Sequence, residues 1–297
     1  MKRTLALMAV LPLLATLNAA EAKGLKVYVS VDMEGISGVV SSEQTNSESR
    51  EYAAARKWMA DDVNAVIAGL LAAGATEIVV NDSHGGMRTI SPDDLRPEAS
   101  LISGSPKPLS MMAGIDGTFD ACVFVGYHAE AGTAAATLDH TISGSSVYEI
   151  KVNGVEVPEL GLNAAIAGYY GVPVIMLSGD AAACRQAGSL LGDNLVAVAV
   201  KEALSRTAAK LVPLPESRKR LQEAARDALA RRDQRRPFRF DPPCRFSLTF
   251  QNSAQAEPGE MLPGVTRASA RTLTFSTQDY LEGVKILRAL IALALAR

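Results

Sequence analysis

Two short β-branched runs, at residues 26–31 and 77–81, stand on either side of one long helical pattern, and few folds accommodate that order. Over residues 49–73, Tyr52, Ala55, Met59, Val63, Val66, Leu70 and Leu71 recur at three- and four-residue steps, and Gly74 closes the stretch. A strand, a helix and a second strand make a βαβ unit, whose strands lie parallel because the helix carries the chain back along the sheet. Further apolar runs at 120–127, 172–178 and 195–200, a short strand and rigid turn over 101–108, and helical patterns at 159–169 and 181–191 extend it. The fold class expected is α/β, a mainly parallel sheet with flanking helices. Beyond Pro213 and Pro215 a charged helix over 216–232 and a proline-bounded link lead to alternating Phe246, Leu248 and Phe250, a strand at Leu273 and Phe275, and a helix over 278–296. This predicts a metal-binding catalytic domain over residues 23–212 and a smaller C-terminal α+β domain over 213–297.

The ends of the runs carry the chemistry. Asp32 and Glu34 follow the first strand two residues apart, so both point to one side and can share a cation. His84 follows the second run and His128 the run at 120–127, at the edge where open α/β sheets place their sites. His140 lies in the small-residue loop 129–143. A hairpin over 147–157, turning at Asn153-Gly154, returns the chain to Glu159, which shares a helix face with Asn163. Each of these groups alone also suits a solvated strand end or a structural hydrogen bond. Together, imidazoles and carboxylates form a nitrogen and oxygen set suited to zinc, and enough of one for two ions if a carboxylate bridges them. Such pairs hydrolyse by attack of a metal-activated water. Asn163 serves either a substrate amide or helix packing.

Five separated motifs, residues 30–38, 81–84, 101–104, 126–129 and 159–164, resemble in order those of the D-aminopeptidase family, zinc peptidases of family M55. The resemblance spans nearly the whole chain from Lys26 onward. It implies a metallo-aminopeptidase acting on short peptides with N-terminal D-amino acids, D-alanine in particular, with two zinc ions per chain. Asp32 would bridge them, Glu34 and His84 completing one site and His128 and Glu159 the other. His140 falls at the family's catalytic histidine, as proton carrier or as nucleophile, and imidazole ordinarily titrates near neutrality. The resemblance also implies a homo-oligomer, a decamer of stacked rings. Gly85 and Gly86, a longer loop before His140, and Pro158 depart from the family pattern and bear on substrate preference. The rival readings are a dizinc amidase, a peptidase for L-peptides, and a non-catalytic periplasmic zinc-binding protein.

Lys2 and Arg3, the apolar run 5–17 and the small residues 18–22 read as a signal peptide over residues 1–22, too short in its apolar part to remain as a spanning anchor. The protein is then expected in the periplasm or outside the cell. Nucleic-acid binding is not expected of a chain with formal net charge -2, whose Arg231, Arg232, Arg235 and Arg236 cluster at the end of a helix. Three widely spaced cysteines, Cys122, Cys184 and Cys244, cannot form a complete disulfide framework.

Overall fold

A computed structural model describes residues 24–296, and the signal peptide expected over residues 1–22 lies outside the described residues. Strand β1 (Leu25–Val31) leads through a short helix α1 (Ser42–Thr45) into α2 (Tyr52–Ala72), which returns the chain to β2 (Ala75–Asp82). Next come β3 (Ala99–Ile102), β4 (Ala121–Tyr127), the hairpin β5 (Val147–Val152) and β6 (Val155–Glu156), and α3 (Glu159–Tyr169). The chain continues through β7 (Val174–Asp180), α4 (Ala181–Leu191), β8 (Val196–Ser205), β9 (Ala208–Leu211) and α5 (Leu214–Ala230). It ends with β10 (Cys244–Phe250), α6 (Glu257–Glu260), β11 (Thr266–Arg267), β12 (Thr272–Thr277) and α7 (Tyr280–Leu295).

Seven strands form one sheet in the order β3-β2-β1-β4-β7-β8-β9, parallel except for β9 at the edge. Its central strands are apolar almost throughout because both faces are covered. Val27, Val29 and Val31 pack with Met59 and Val63 of α2 and Leu221 and Ala225 of α5. Tyr28 and Phe124 face the opposite side, among Leu160 and Ile166 of α3, Phe246 of β10 and Leu287 of α7. Side chains alternate along β1, so Ser30 and Asp32 follow Tyr28 toward this second side.

The second sheet is antiparallel, β11-β12-β10-β5-β6. It cuts across the division expected at 212/213. The hairpin β5 and β6, with Asn153 and Gly154 at positive φ as its turn demands, joins the C-terminal strands by pairing β5 with β10, while α5, beyond residue 213, packs on α2 of the first sheet. The reason is an unpaired strand edge: β5 needs a partner, and β10 supplies it. Cys122, Cys184 and Cys244 are free thiols. Among the described residues no helix is long and apolar enough to cross a membrane.

The chain winds outward from β1 through β2 in one direction and through β4 and β7 in the other, which makes the crevice beyond the ends of β1 and β4 a topological switch point. Two glycines let these ends close on each other. A Cβ on Gly35 would lie 2.0 Å from the Tyr127 carbonyl oxygen, and one on Gly126, at φ +70, would lie 2.3 Å from that of Asp32. With those contacts open, Asp32 N–H donates to Val125 O and Gly35 N–H to Gly126 O, both at 2.8 Å.

Candidate metal centre

The crevice gathers side chains from strands far apart in sequence. Asp32 leaves β1 with its two oxygens turned apart: Oδ1 lies 3.4 Å from His84 Nδ1 and Oδ2 lies 3.3 Å from His128 Nε2. Glu34 Oε2 reaches the same His84 nitrogen at 3.1 Å, and Glu159 Oε1, from the first turn of α3, reaches the same His128 nitrogen at 3.3 Å. Asp32, Glu34, His128 and Glu159 are buried, and His84 nearly so. The other four residues expected to hold metal thus flank Asp32 in two groups that share it.

The histidine tautomers follow from their outer partners. His84 Nε2 lies 2.9 Å from the Thr45 carbonyl and His128 Nδ1 lies 3.0 Å from that of Ala129. A carbonyl only accepts, so each of these nitrogens carries a proton, and the other ring nitrogen is turned toward carboxylates. A ring nitrogen facing carboxylates calls for positive charge between them, either a proton on the ring or a metal ion. His128 Nε2 shows this most plainly, because it is buried with no hydrogen-bond partner. Giving one N–H to a backbone carbonyl while aiming the other nitrogen inward is how metal-binding histidines are held. The donor set therefore fits zinc.

Electrostatics point the same way. Burial pushes the His84 and His128 imidazoles down, but Glu34 and Asp32 around the first, and Glu159 and Asp32 around the second, raise both well above the usual value. Burial likewise pushes the carboxyls up, yet His84 holds Glu34 well below its ordinary range, and His128, His140 and the Ile142 N–H bring Glu159 down to about 2. These positions favour positive charge, as protons or as metal.

His140 sits beside this set. Its Nδ1–H donates to Leu138 O at 2.9 Å, and its ring stacks on His128 with centroids 3.9 Å apart and planes within 14°. Its Nε2 lies 3.5 Å from Glu159 Oε1. A cavity of about 190 Å³ is lined by Asp32, Glu34, His84, His140, Glu159 and Arg288, with His128 behind His140. Asn163 lies outside that lining. Its amide nitrogen donates to Tyr127 Oη at 3.0 Å, and it borders an adjoining apolar recess. A groove of about 450 Å³ on the second sheet, around Lys151, Arg245 and Phe275, contains none of these groups.

Two residues that motif reading passes over complete the site. Lys201, buried at the end of the apolar part of β8, donates from Nζ to the carbonyls of Glu34 at 2.6 Å, Ile36 at 3.0 Å and Val39 at 2.5 Å. It pins the turn that carries Glu34. A lysine directly after an apolar run is visible in the sequence; the carbonyls it serves are not. Arg288, on α7, lines the cavity from the last helix.

An α/β sheet with two imidazoles and three carboxylates converging at its switch point defines a metallohydrolase. The chain belongs to the D-aminopeptidase family: the family model Peptidase M55, D-aminopeptidase, matches residues 25–289. It is a hydrolase of the metallo-aminopeptidase class. The D-aminopeptidase of Bacillus subtilis (strain 168) is 39% identical over 274 residues, covering 91% of this chain and 98% of that protein. The solved structure of the Zn-dependent D-aminopeptidase DppA from Bacillus subtilis, described as a self-compartmentalizing protease, superposes with a TM-score of 0.89 at 38% identity, over 92% of this chain and 99% of that one.

Proposed function

We propose that this protein is a dizinc aminopeptidase that removes N-terminal D-amino acids, D-alanine above all, from short peptides. The observation that carries the reading is the orphaned Nε2 of buried His128, facing Asp32 and Glu159, with the other Asp32 oxygen turned to His84. Asp32, Glu34 and His84 would hold one ion and Asp32, His128 and Glu159 the other. Bound zinc would polarise the scissile carbonyl and lower the pKa of water.

The remaining work falls to the chain's own groups. Because Leu138 O holds the Nδ1 proton, neutral His140 has its basic site at Nε2, toward the cavity. It takes up the proton released on attack and gives it to the departing amine. Stacking on His128 keeps the ring in that plane. The recess beside the cavity, about 20 Å³ between Leu109, Met111, Ile142, Leu162 and Ile166, has room for one methyl-sized group, which supports an alanine side chain.

The leader would deliver the mature protein to the periplasm, where peptides bearing D-alanine arise. Assembly into a closed homo-oligomer, with a decamer proposed, is part of the reading; the self-compartmentalizing relative supports the closed assembly. The test is a matched panel of D- and L-alanyl peptides given to zinc-loaded mature protein. Release of D-alanine with little cleavage of the L-series is expected. Equal cleavage of both series, or preference for L-peptides, would overturn the substrate assignment.

A further inference from the structure

The metal cavity has one permanent cation of its own. Apart from carboxylates and imidazoles, the sole charged side chain in its lining is Arg288. The same residue, exposed on α7, borders the apolar recess, so Arg288 stands where the two spaces meet. Helix α7 is held firmly there, with Leu287, Leu290 and Ile291 buried in the core that includes α3. Among the described residues Arg288 makes no ion pair and no hydrogen bond; the one charge acting on it is Glu159, whose Oε1 is already engaged by the Ile142 N–H. A guanidinium offers a planar fork of donors that matches a carboxylate with two parallel hydrogen bonds.

The chemistry of a short peptide supplies that carboxylate. A peptide placed with its scissile bond at the metal ligands has two charged ends, an amine on one side and a C-terminal carboxylate on the other. An extended residue spans roughly 3.3–3.6 Å. A cation sharing a cavity of about 190 Å³ with the metal ligands therefore lies within reach of a carboxylate only one or two residues beyond the cut.

We propose that Arg288 is the anchor for the substrate's C-terminal carboxylate, which makes free di- and tripeptides the preferred substrates. The proposal rests on the aminopeptidase reading above and adds to it the feature by which length is measured. Arg288 is a binding residue here and takes no part in bond cleavage. Its effect falls on KM, because the carboxylate is held equally in the ground state and the transition state.

The test compares D-Ala-D-Ala with its C-terminal amide, using zinc-loaded full-length mature protein and the variants Arg288→Gln and Arg288→Lys. Wild type should favour the free acid by roughly 10–100-fold in kcat/KM, the worth of a charge-assisted pair, with the difference in KM. Arg288→Gln should bring the acid-to-amide ratio to about one, and Arg288→Lys should recover part of it. Calorimetry with a reduced-bond analogue of the dipeptide, as acid and as amide, should show the same ratio without turnover. Wild type cleaving acid and amide equally, or Arg288→Gln slowing both alike, would overturn the anchor and leave the aminopeptidase reading standing. Wild type cleaving neither peptide would overturn both.

Discussion

Replacing Lys201 by methionine tests whether the metal centre depends on a residue 167 positions away from Glu34 in sequence. Methionine keeps most of the length and loses the three donors. The Ile36 carbonyl would still accept the Val39 N–H at 3.2 Å, whereas those of Glu34 and Val39 would keep no donor among the described residues. A buried acceptor left unsatisfied costs about 1–3 kcal/mol, so the two together cost about 2–6 kcal/mol. Part is returned because the ammonium no longer has to be buried: burial pushes its pKa down to about 7, against the pull of Asp180, Asp62 and Glu34. A net loss of about 2–4 kcal/mol is expected, which lowers Tm by roughly 5–15 °C for a chain of this size. The loosened turn should also weaken zinc at the Glu34 and His84 side before the other. Thermal melts with chelator and with zinc, together with zinc titration, read both effects. A Lys201→Met protein that melts within about 2 °C of wild type and binds zinc as tightly would refute the pinning role.

Three further outcomes follow from the same geometry. Protein purified without chelator should carry close to two zinc ions per chain and Asp32→Ala should lose both, since its two oxygens face the two histidines; one tightly held ion, unaffected by the change, would sink the shared-ligand arrangement. His140→Ala should keep its zinc and lose roughly 10²–10⁴-fold in kcat, whereas His84→Ala and His128→Ala should lose metal; near-normal turnover in His140→Ala would remove it from the mechanism. Asp62, whose Oδ2 accepts the Ser37 N–H at 2.9 Å, has its carboxyl raised by burial from 3.8 to about 6. The folded state thus holds that proton more tightly than the unfolded one, so the stability it contributes is present below about pH 4 and lost as pH rises through about 6. Asp62→Asn should accordingly stabilise the protein at pH 8, by up to about 3 kcal/mol, and much less at pH 4; equal shifts in melting temperature at both pH values would contradict this.

The local pattern determined much of what matters here. The three- and four-residue spacing from Tyr52 to Leu70 gives α2 because apolar side chains at that period line one face. The β-branched runs on either side give β1 and β2, and the helix between them makes the pair's parallel sense unavoidable. Asp32, Glu34, His84 and His128 were legible as a set because each directly follows such a run, and one edge of a parallel sheet collects everything that follows its strands. Glu159 and His140 were legible as candidates in their helix and loop, their separate roles came from the family resemblance, and the fold brings both to the same cavity.

What sequence pattern left open was decided by contacts between distant segments. The edge of β5 has no local mark naming β10 as its partner, so the second sheet drew in a hairpin that composition had assigned to the first unit. Asn163 shares a helix with Glu159, but its orientation toward Tyr127 depends on how α3 lies across β4. Lys201 advertises a buried charge and Arg288 an ordinary helix-surface cation; only the folded chain sets one under the Glu34 turn and the other at the mouth of the cavity. Periodicity reports which side of an element is buried. It carries no information on which distant group lies opposite, because that choice is made by the packing of the whole chain.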